Sequence, residues 1–425
     1  MVAYRIDVNA GDLFDGKYSI VRQIGSGNYG NVFKVRDNLG RDYALKLLRL
    51  WEVAGELHRP LVMKFEQEYK TGQLACDYLI HSLDFGTVQG NPYLLMEFCS
   101  QGDLSRAVGK DQARLPGYAH DILEGLRALH SEGKIHRDMK PENVLIRNNG
   151  KAALTDFGVV GEMDKNRRLS EKGWWSKRPK QVQGTPLYMS PEMFDRKGGG
   201  VTYLPTVDIW SFGVMMYEML TSGSFPFGDI ENFEDFPKYQ ERARRGQWDA
   251  DRLRMSPYGC DWLQIIEHCL APNYRERYQS ALDVLVDLAP MLGGRLSCAV
   301  SDRLSRSCAI SRIVVTQGEI IGAEFRLDSL LQSHGRMLRA GRGSTNDIVL
   351  SERVSNYVSR CHFTLERSKD GGYWVIRDGQ WQSDKRRWVP STNGTYLNAT
   401  PVSVDGQKVF TGDIITAGEY KLKVE

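Results

Sequence analysis

The stretch His136-Arg-Asp-Met-Lys-Pro-Glu-Asn143 stands at the centre of an ordered series of short motifs, and that series decides the fold. Upstream lie Gly25-x-Gly27-x-x-Gly30, Tyr43-Ala-Leu-Lys46 and the stretch FEQEYKTGQL, which carries Glu66 and Glu68. Downstream lie Asp156-Phe-Gly158 and Ser190-Pro-Glu192. From Tyr18 to Leu50 apolar residues alternate (Ile20, Val21, Ile24; Val32, Phe33, Val35; Tyr43, Leu45, Leu47), broken by the glycine cluster and an Asn38-Leu-Gly40 turn. Three antiparallel strands are expected there. Because Asn31 to Val35 continues as a strand, the glycines form a hairpin tip and do not open a helix, as a dinucleotide-binding turn would. Beyond about residue 112 the period becomes helical: Ile122, Leu123, Leu126 and Leu129 mark one face, and Ile209, Phe212, Met215, Met216 and Leu220 a more buried one.

The whole chain has 425 residues, too many for one ordinary core and suited to two domains. Its 56 basic and 53 acidic residues leave a net charge of +3, which argues against bulk nucleic-acid binding. The 7 cysteines form no Cys-x-x-Cys pair and suggest neither a disulfide framework nor a zinc knuckle, so a reducing, cytoplasmic setting is expected. Met1 to Lys17 lacks the basic and apolar blocks of a secretory signal. The most apolar run, Val207 to Leu220, is too short to span a membrane and contains Asp208, Ser211 and Glu218. After Leu292, Gly293-Gly294 opens a serine-rich linker, residues 293–310. From Ile313 short alternating segments return between Gly, Asn and Asp turns, the pattern of an all-β sandwich.

Taken in order, the first set of motifs resembles the protein kinase family over about residues 18–290, within a domain placed at 1–292. The resemblance implies an α+β, bilobal fold, with a β-rich N-lobe and a helical C-lobe. It also implies transfer of the ATP γ-phosphate to serine or threonine hydroxyls of protein substrates. Phosphoryl transfer through a loose transition state asks for charge neutralisation and alignment. Lys46 and two magnesium ions would supply the positive charge, with Glu68 as the partner of Lys46 and Glu66 as the alternative. Asn143 and Asp156 match the magnesium ligands, hard oxygens for a cation that takes few protein ligands. Asp138 matches the residue that orients the hydroxyl and accepts its proton, and Lys140 the serine/threonine-type lysine that neutralises the γ-phosphate.

For ATP itself, the resemblance places Gly25, Gly27 and Gly30 over the phosphates, Val32 over the adenine, and the backbone of Glu97 and Cys99 at the adenine edge, with Met96 as gatekeeper. Asp103 is read equally as a ribose contact or a helix cap. His136, Asp208 and the pair Glu192 and Arg277 are expected to hold shape. A catalytically silent scaffold that binds ATP and docks phosphoproteins is the alternative, and intact Lys46, Asp138, Asn143 and Asp156 favour the enzyme. Arg137 before the catalytic aspartate implies a phosphate-ordered activation segment. Ser170 and Ser176, set among seven basic residues from Lys165 to Lys180, are the regulatory candidates.

A second set, Gly341-Arg342, Ser359-Arg-Cys-His362 and Thr392-Asn-Gly-Thr395 with Asn398, resembles a forkhead-associated (FHA) domain over residues 311–425. A phosphate needs bidentate cations and neutral donors on rigid loops, and Arg342, Ser359 and Arg360 are of that kind. Thr392 and Asn393 would add a donor and fix the peptide backbone. The resemblance implies recognition of phosphothreonine on partner proteins. Only serines occur in the activation segment and linker apart from Thr185, so the expected ligand lies on another chain. A basic insertion at residues 379–391, carrying Lys385, Arg386, Arg387 and Trp388, borders the expected pocket. Extended peptide recognition, a kinase contact and surface decoration all stay open for it.

Overall fold

The computed structural model describes residues 3–27, 30–157, 161–162, 185–194, 204–230, 235–293, 310–334, 336–351, 357–368, 373–382, 386–398, 400–402, 404 and 406–425. Its contacts separate Met1–Leu296 from Ser297–Glu425 as two compact units.

The first unit opens with β1 (Leu13–Phe14), β2 (Tyr18–Ser26), β3 (Gly30–Arg36) and β4 (Asp42–Leu48), then helix α1 (His58–Thr71), β5 (Ser82–Val88) and β6 (Asn91–Glu97). The strands make one sheet in the order β1-β2-β3-β4-β6-β5, so the three expected strands are joined by three more. Alternation along them feeds two apolar clusters. Phe33, Val35, Leu45, Leu47 and Tyr93 fill one face. Ala44, Leu48, Leu94 and Met96 meet Phe65 of α1 on the other. Phe65 packs its ring 5.9 Å from Phe85 of β5, and this burial seats α1 against the sheet.

A helical layer follows: α2 (Leu115–Ser131), the ribbons β7 (Lys134–Ile135) with β10 (Gly161–Glu162) and β8 (Val144–Ile146) with β9 (Ala152–Leu154), then α3 (Pro191–Phe194), α4 (Thr206–Leu220), α5 (Phe236–Arg245), α6 (Ala250–Met255), α7 (Gly259–Cys269) and α8 (Ala281–Leu288). Every residue of α4 except Glu218 is buried, which makes it the central helix. Gly213 lets α7 approach, since a β-carbon there would stand 2.5 Å from Cys269 Cβ. Gly125 does the same for α2 against the Tyr78 carbonyl and Leu154, so α2 lies directly under the ribbon that carries the site. At α8 Ser280 and Asp283 form a capping box in which each side chain accepts the other's N–H.

The second unit is a sandwich. In chain order it contains β11 (Arg312–Gln317), β12 (Glu324–Arg326), β13 (Met337–Gly341), β14 (Ile348–Val349), β15 (Phe363–Arg367), β16 (Trp374–Asp378), β17 (Gln380–Gln382), β18 (Arg387–Val389), β19 (Thr395–Leu397), β20 (Thr400–Pro401), β21 (Gln407–Val409), β22 (Ile414–Ala417) and β23 (Tyr420–Val424). One sheet runs β12-β11-β23-β22-β19-β20 and the other β14-β13-β15-β16-β21. Inward residues such as Ile313, Leu338, Phe363, Trp374, Ile415 and Leu422 form its core. Ile310, placed by the sequence at the end of the linker, is buried in this core. Two elements were not anticipated: the helix Leu327–His334, whose Leu327 is fully buried, and the β17–β18 hairpin formed by the basic insertion.

Candidate active site and phosphate-binding loops

In the first unit the glycine hairpin joins β2 to β3, with Gly25 opposite Val32 and the Gly27 N–H donating to the Gly30 carbonyl at 2.8 Å. Gly30 is required by close approach: a β-carbon would stand 2.7 Å from the Leu47 carbonyl oxygen on β4. Val32 packs on the cluster that contains Ala44, Met96, Cys99 and Ala153, with Leu145 at its edge, so the surface beneath the hairpin is apolar.

Lys46 on β4 lies among carboxylates. Its Nζ donates to Glu68 Oε1 and Oε2 of α1 at 2.7 and 3.0 Å and to Asp156 Oδ1 at 3.0 Å. Glu68 is buried and Glu66 is exposed, which selects Glu68 as the partner. Burial alone would drive the Lys46 proton off; the flanking Glu68 and Asp156 carboxylates outweigh it and raise the ammonium well above the usual lysine range. The Lys46 charge in turn lowers Asp156. Asp156 adopts a positive φ of 63°, a conformation that tertiary contacts must enforce. Phe157 beside it is buried, its ring edge-on to His136 at 6.0 Å.

The His136–Asn143 stretch forms a loop between β7 and β8. Asp138 Oδ2 accepts from Asn143 Nδ2 at 2.9 Å and from Lys140 Nζ at 3.0 Å. Asn143 Nδ2 also donates to the Asp138 carbonyl at 2.7 Å. Three residues that the sequence singled out are thus locked together. Among the described residues, Asp138 Oδ1, Asn143 Oδ1 and Asp156 Oδ2 accept no hydrogen bond. His136 is structural: its Nδ1 accepts the Asp138 N–H at 3.3 Å while Nε2 donates to the Thr155 carbonyl at 2.9 Å.

Asp208, fully buried on α4, accepts the N–H groups of His136 and Arg137 at 2.8 Å each and His130 Nε2 at 2.9 Å. Burial would raise its pKa; these donors prevail and hold it low. Arg277 clamps Glu192 with two bonds of 2.7 and 2.8 Å and lies over the Trp210 ring. Asp103 serves as a cap, accepting the Ser105 N–H at 3.1 Å. Ser170, Ser176 and Gly158 lie outside the described residues.

Sequence reasoning did not find Arg147. Its guanidinium joins Glu97 at 2.8 and 2.6 Å and donates to the Leu79 and Asp77 carbonyls. The Glu97 side chain, which also accepts the His81 N–H at 2.9 Å, is therefore occupied. No local signal could have revealed a pair fifty positions apart.

In the second unit Arg342, Ser359, Arg360, Thr392 and Asn393 gather on neighbouring loops. Ser359 Oγ accepts the Thr392 N–H at 3.0 Å and reaches Thr392 Oγ1 at 3.3 Å, and the Arg342 N–H donates to the Ser359 carbonyl. His362 bridges the loops, with Nδ1 accepting the Ser359 N–H at 3.0 Å and Nε2 donating to the Gly394 carbonyl at 3.1 Å. Asn393 Nδ2 holds the Tyr357 carbonyl at 2.9 Å. Gly341 is close-packed: a β-carbon would stand 2.6 Å from the Arg360 carbonyl oxygen. The guanidinium groups of Arg342 and Arg360 are exposed and have no carboxylate partner among the described residues. Asn346 and Asp378 escaped the sequence reading. Asn346 holds the Arg360 carbonyl, while Asp378 holds Ser391 and Thr395.

A lysine held between two carboxylates beneath a glycine hairpin, beside an Asp-Lys-Asn loop, is the arrangement of a phosphotransferase fold, and the second unit is a β-sandwich with two exposed arginines on its loops. Family comparison agrees: the protein kinase domain model matches residues 18–286 and the FHA domain model residues 338–418. The chain belongs to the protein kinase family and carries an FHA domain after its kinase domain. Human ribosomal protein S6 kinase alpha-2 is 30% identical over 233 residues, 50% of this chain and 28% of that protein. Human serine/threonine-protein kinase MRCK beta is 31% identical over 255 residues, 58% of this chain and 14% of its own length. The chain therefore matches less than a third of the length of either relative. Among the described residues no helix is long and apolar enough to cross a membrane.

Proposed function

We propose that the chain is an active serine/threonine protein kinase that transfers the ATP γ-phosphoryl group to protein hydroxyls. The observation that carries this reading is the assembly of two clusters: Lys46 with Glu68 and Asp156, and Asp138 with Lys140 and Asn143. Lys46, held protonated and fixed by Glu68, would contact the α/β-phosphates. The unengaged Oδ1 of Asp138 would receive the substrate hydroxyl and its proton, while Lys140 turns to the γ-phosphate. The open oxygens of Asn143 and Asp156 suit magnesium, which when bound neutralises phosphate charge. Gly25, Gly27 and Gly30 would cover the phosphates, and Val32 with the Glu97 and Cys99 backbone would hold the adenine. Asp103 keeps its cap while remaining available to the ribose.

The second unit would bind phosphothreonine segments of other proteins through Arg342, Ser359, Arg360, Thr392 and Asn393, bringing them to the kinase. Phosphorylation of Ser170 or Ser176 would switch the enzyme on, and phosphopeptide mapping of the active form checks this. The free thiols of Cys76, Cys99, Cys260, Cys269 and Cys361 fit a reducing cytoplasm. Autophosphorylation with Mg-ATP tests the enzyme: wild type should incorporate phosphate and Asp138→Ala should not. Equal incorporation by the two, or none by wild type, would replace this reading with a silent ATP-binding scaffold.

A further inference from the structure

Building on the reading of the second unit as a phosphothreonine binder, we infer that the β17–β18 hairpin is a second contact for the same ligand, selecting segments with acidic residues beside the phosphothreonine. The hairpin is fixed at its base. Gly379, with a φ of 77°, lies so close to Val389 that a β-carbon would stand 1.9 Å from its carbonyl oxygen. Trp388 Nε1 donates to the Asp378 carbonyl at 2.5 Å, and the Arg377 guanidinium covers its ring at 5.6 Å. The same Asp378 accepts Ser391 Oγ at 2.6 Å and Thr395 Oγ1 at 2.7 Å, so the hairpin and the Thr392-Asn393 loop share one anchor.

What the hairpin presents is unusual for a free surface. Trp381 pairs across the ribbon with Trp388 and is 51% exposed. Arg386 and Arg387, at the start of β18, are exposed and have no carboxylate partner among the described residues. An exposed aromatic side chain and guanidinium groups without a carboxylate partner, carried by one short hairpin, fit a peptide that brings carboxylates. The reach is suitable. Trp388 precedes Thr392 by four positions, so their Cα atoms are at most about 14 Å apart. An extended peptide held by its phosphate at Ser359 and Thr392 covers that distance in roughly four residues.

The test uses the full chain and three phosphothreonine peptides of one core sequence, flanked by alanines, by aspartates before the phosphothreonine, or by aspartates after it. One aspartate-flanked peptide should bind about fivefold tighter than the alanine-flanked one, with the advantage shrinking as salt rises. The double variant Arg386→Ala/Arg387→Ala should remove that advantage while leaving the alanine-flanked peptide unchanged, which also shows that the fold survives. The inference is overturned if acidic flanks give no gain, if the arginine variant weakens all three peptides equally, or if an unphosphorylated single-stranded oligonucleotide occupies the hairpin instead. Arg342→Ala separates the two levels: it should abolish binding of every peptide, and if it does not, the phosphothreonine reading itself falls.

Discussion

The carboxylate of Asp208 is buried on α4, yet it sets the backbone from which Asp138 projects. It holds two consecutive N–H groups and an imidazole in a site without water access, so its removal leaves three donors unsatisfied. Asp208→Ala should destabilise the kinase domain by about 3–5 kcal/mol and lower kcat more than it raises the KM for ATP, as denaturation and steady-state kinetics would read. Glu218, on the same helix, makes a different statement. Burial, and to a lesser degree the Glu142 charge, push its pKa up to about 7, against the hydrogen bond that Tyr188 donates at 2.6 Å. A carboxyl with a raised folded-state pKa favours the fold while protonated. Its contribution is complete below the ordinary glutamate pKa and is lost as pH rises towards 7. Wild type should therefore lose on the order of 2 kcal/mol between pH 4.5 and 8 that Glu218→Gln does not lose. Parallel melting curves for the two proteins across that range would contradict the assignment.

At the scale of elements, α1 must be held where Glu68 meets Lys46, and part of that hold comes from outside the catalytic motifs. Asn91, fully buried at the start of β6, accepts the Leu50 N–H at 3.1 Å and donates to the Tyr4 and Gln89 carbonyls at 2.8 and 3.1 Å. It ties the N-terminal stretch to the connection that leads from β4 into α1. Asn91→Ala should speed hydrogen exchange in α1 and raise the KM for ATP severalfold with little change in peptide KM; unchanged exchange in α1 would show that the tie is incidental. Asn91 also marks the limit of what the sequence discloses. Lys46, Asp138, Asn143 and Asp156 were legible because their order and spacing along the chain are themselves the signal. The glycine hairpin was legible because strand alternation runs on through Val32 and Val35. Asn91, Arg147 and Asp378 act through partners distant in sequence and carry no local pattern. The hairpin at 380–389 was visible only as an excess of basic and aromatic residues, because three-residue strands are too short to establish a period.

For the whole molecule, the consequence that the proposed function gives to joining the two units in one chain is kinetic. Under the proposed function, a substrate captured through its phosphothreonine would meet the kinase not at its bulk concentration but at an effective one of roughly millimolar order. That gain is available only to substrates already phosphorylated elsewhere, and it requires no change in the chemical step. Arg342 belongs to the second unit and is not among the residues proposed for transfer, so Arg342→Ala should leave kcat and the activity on an unprimed peptide unchanged. For a peptide that carries both a phosphothreonine and a separate acceptor serine, the same variant should raise KM by about tenfold or more. Steady-state kinetics on the primed and unprimed pair decides the matter: equal KM values for the two peptides with wild type would mean that the phosphate reader does not serve the kinase's own substrates. A fall in kcat on both peptides would mean that Arg342 supports the fold instead of the ligand.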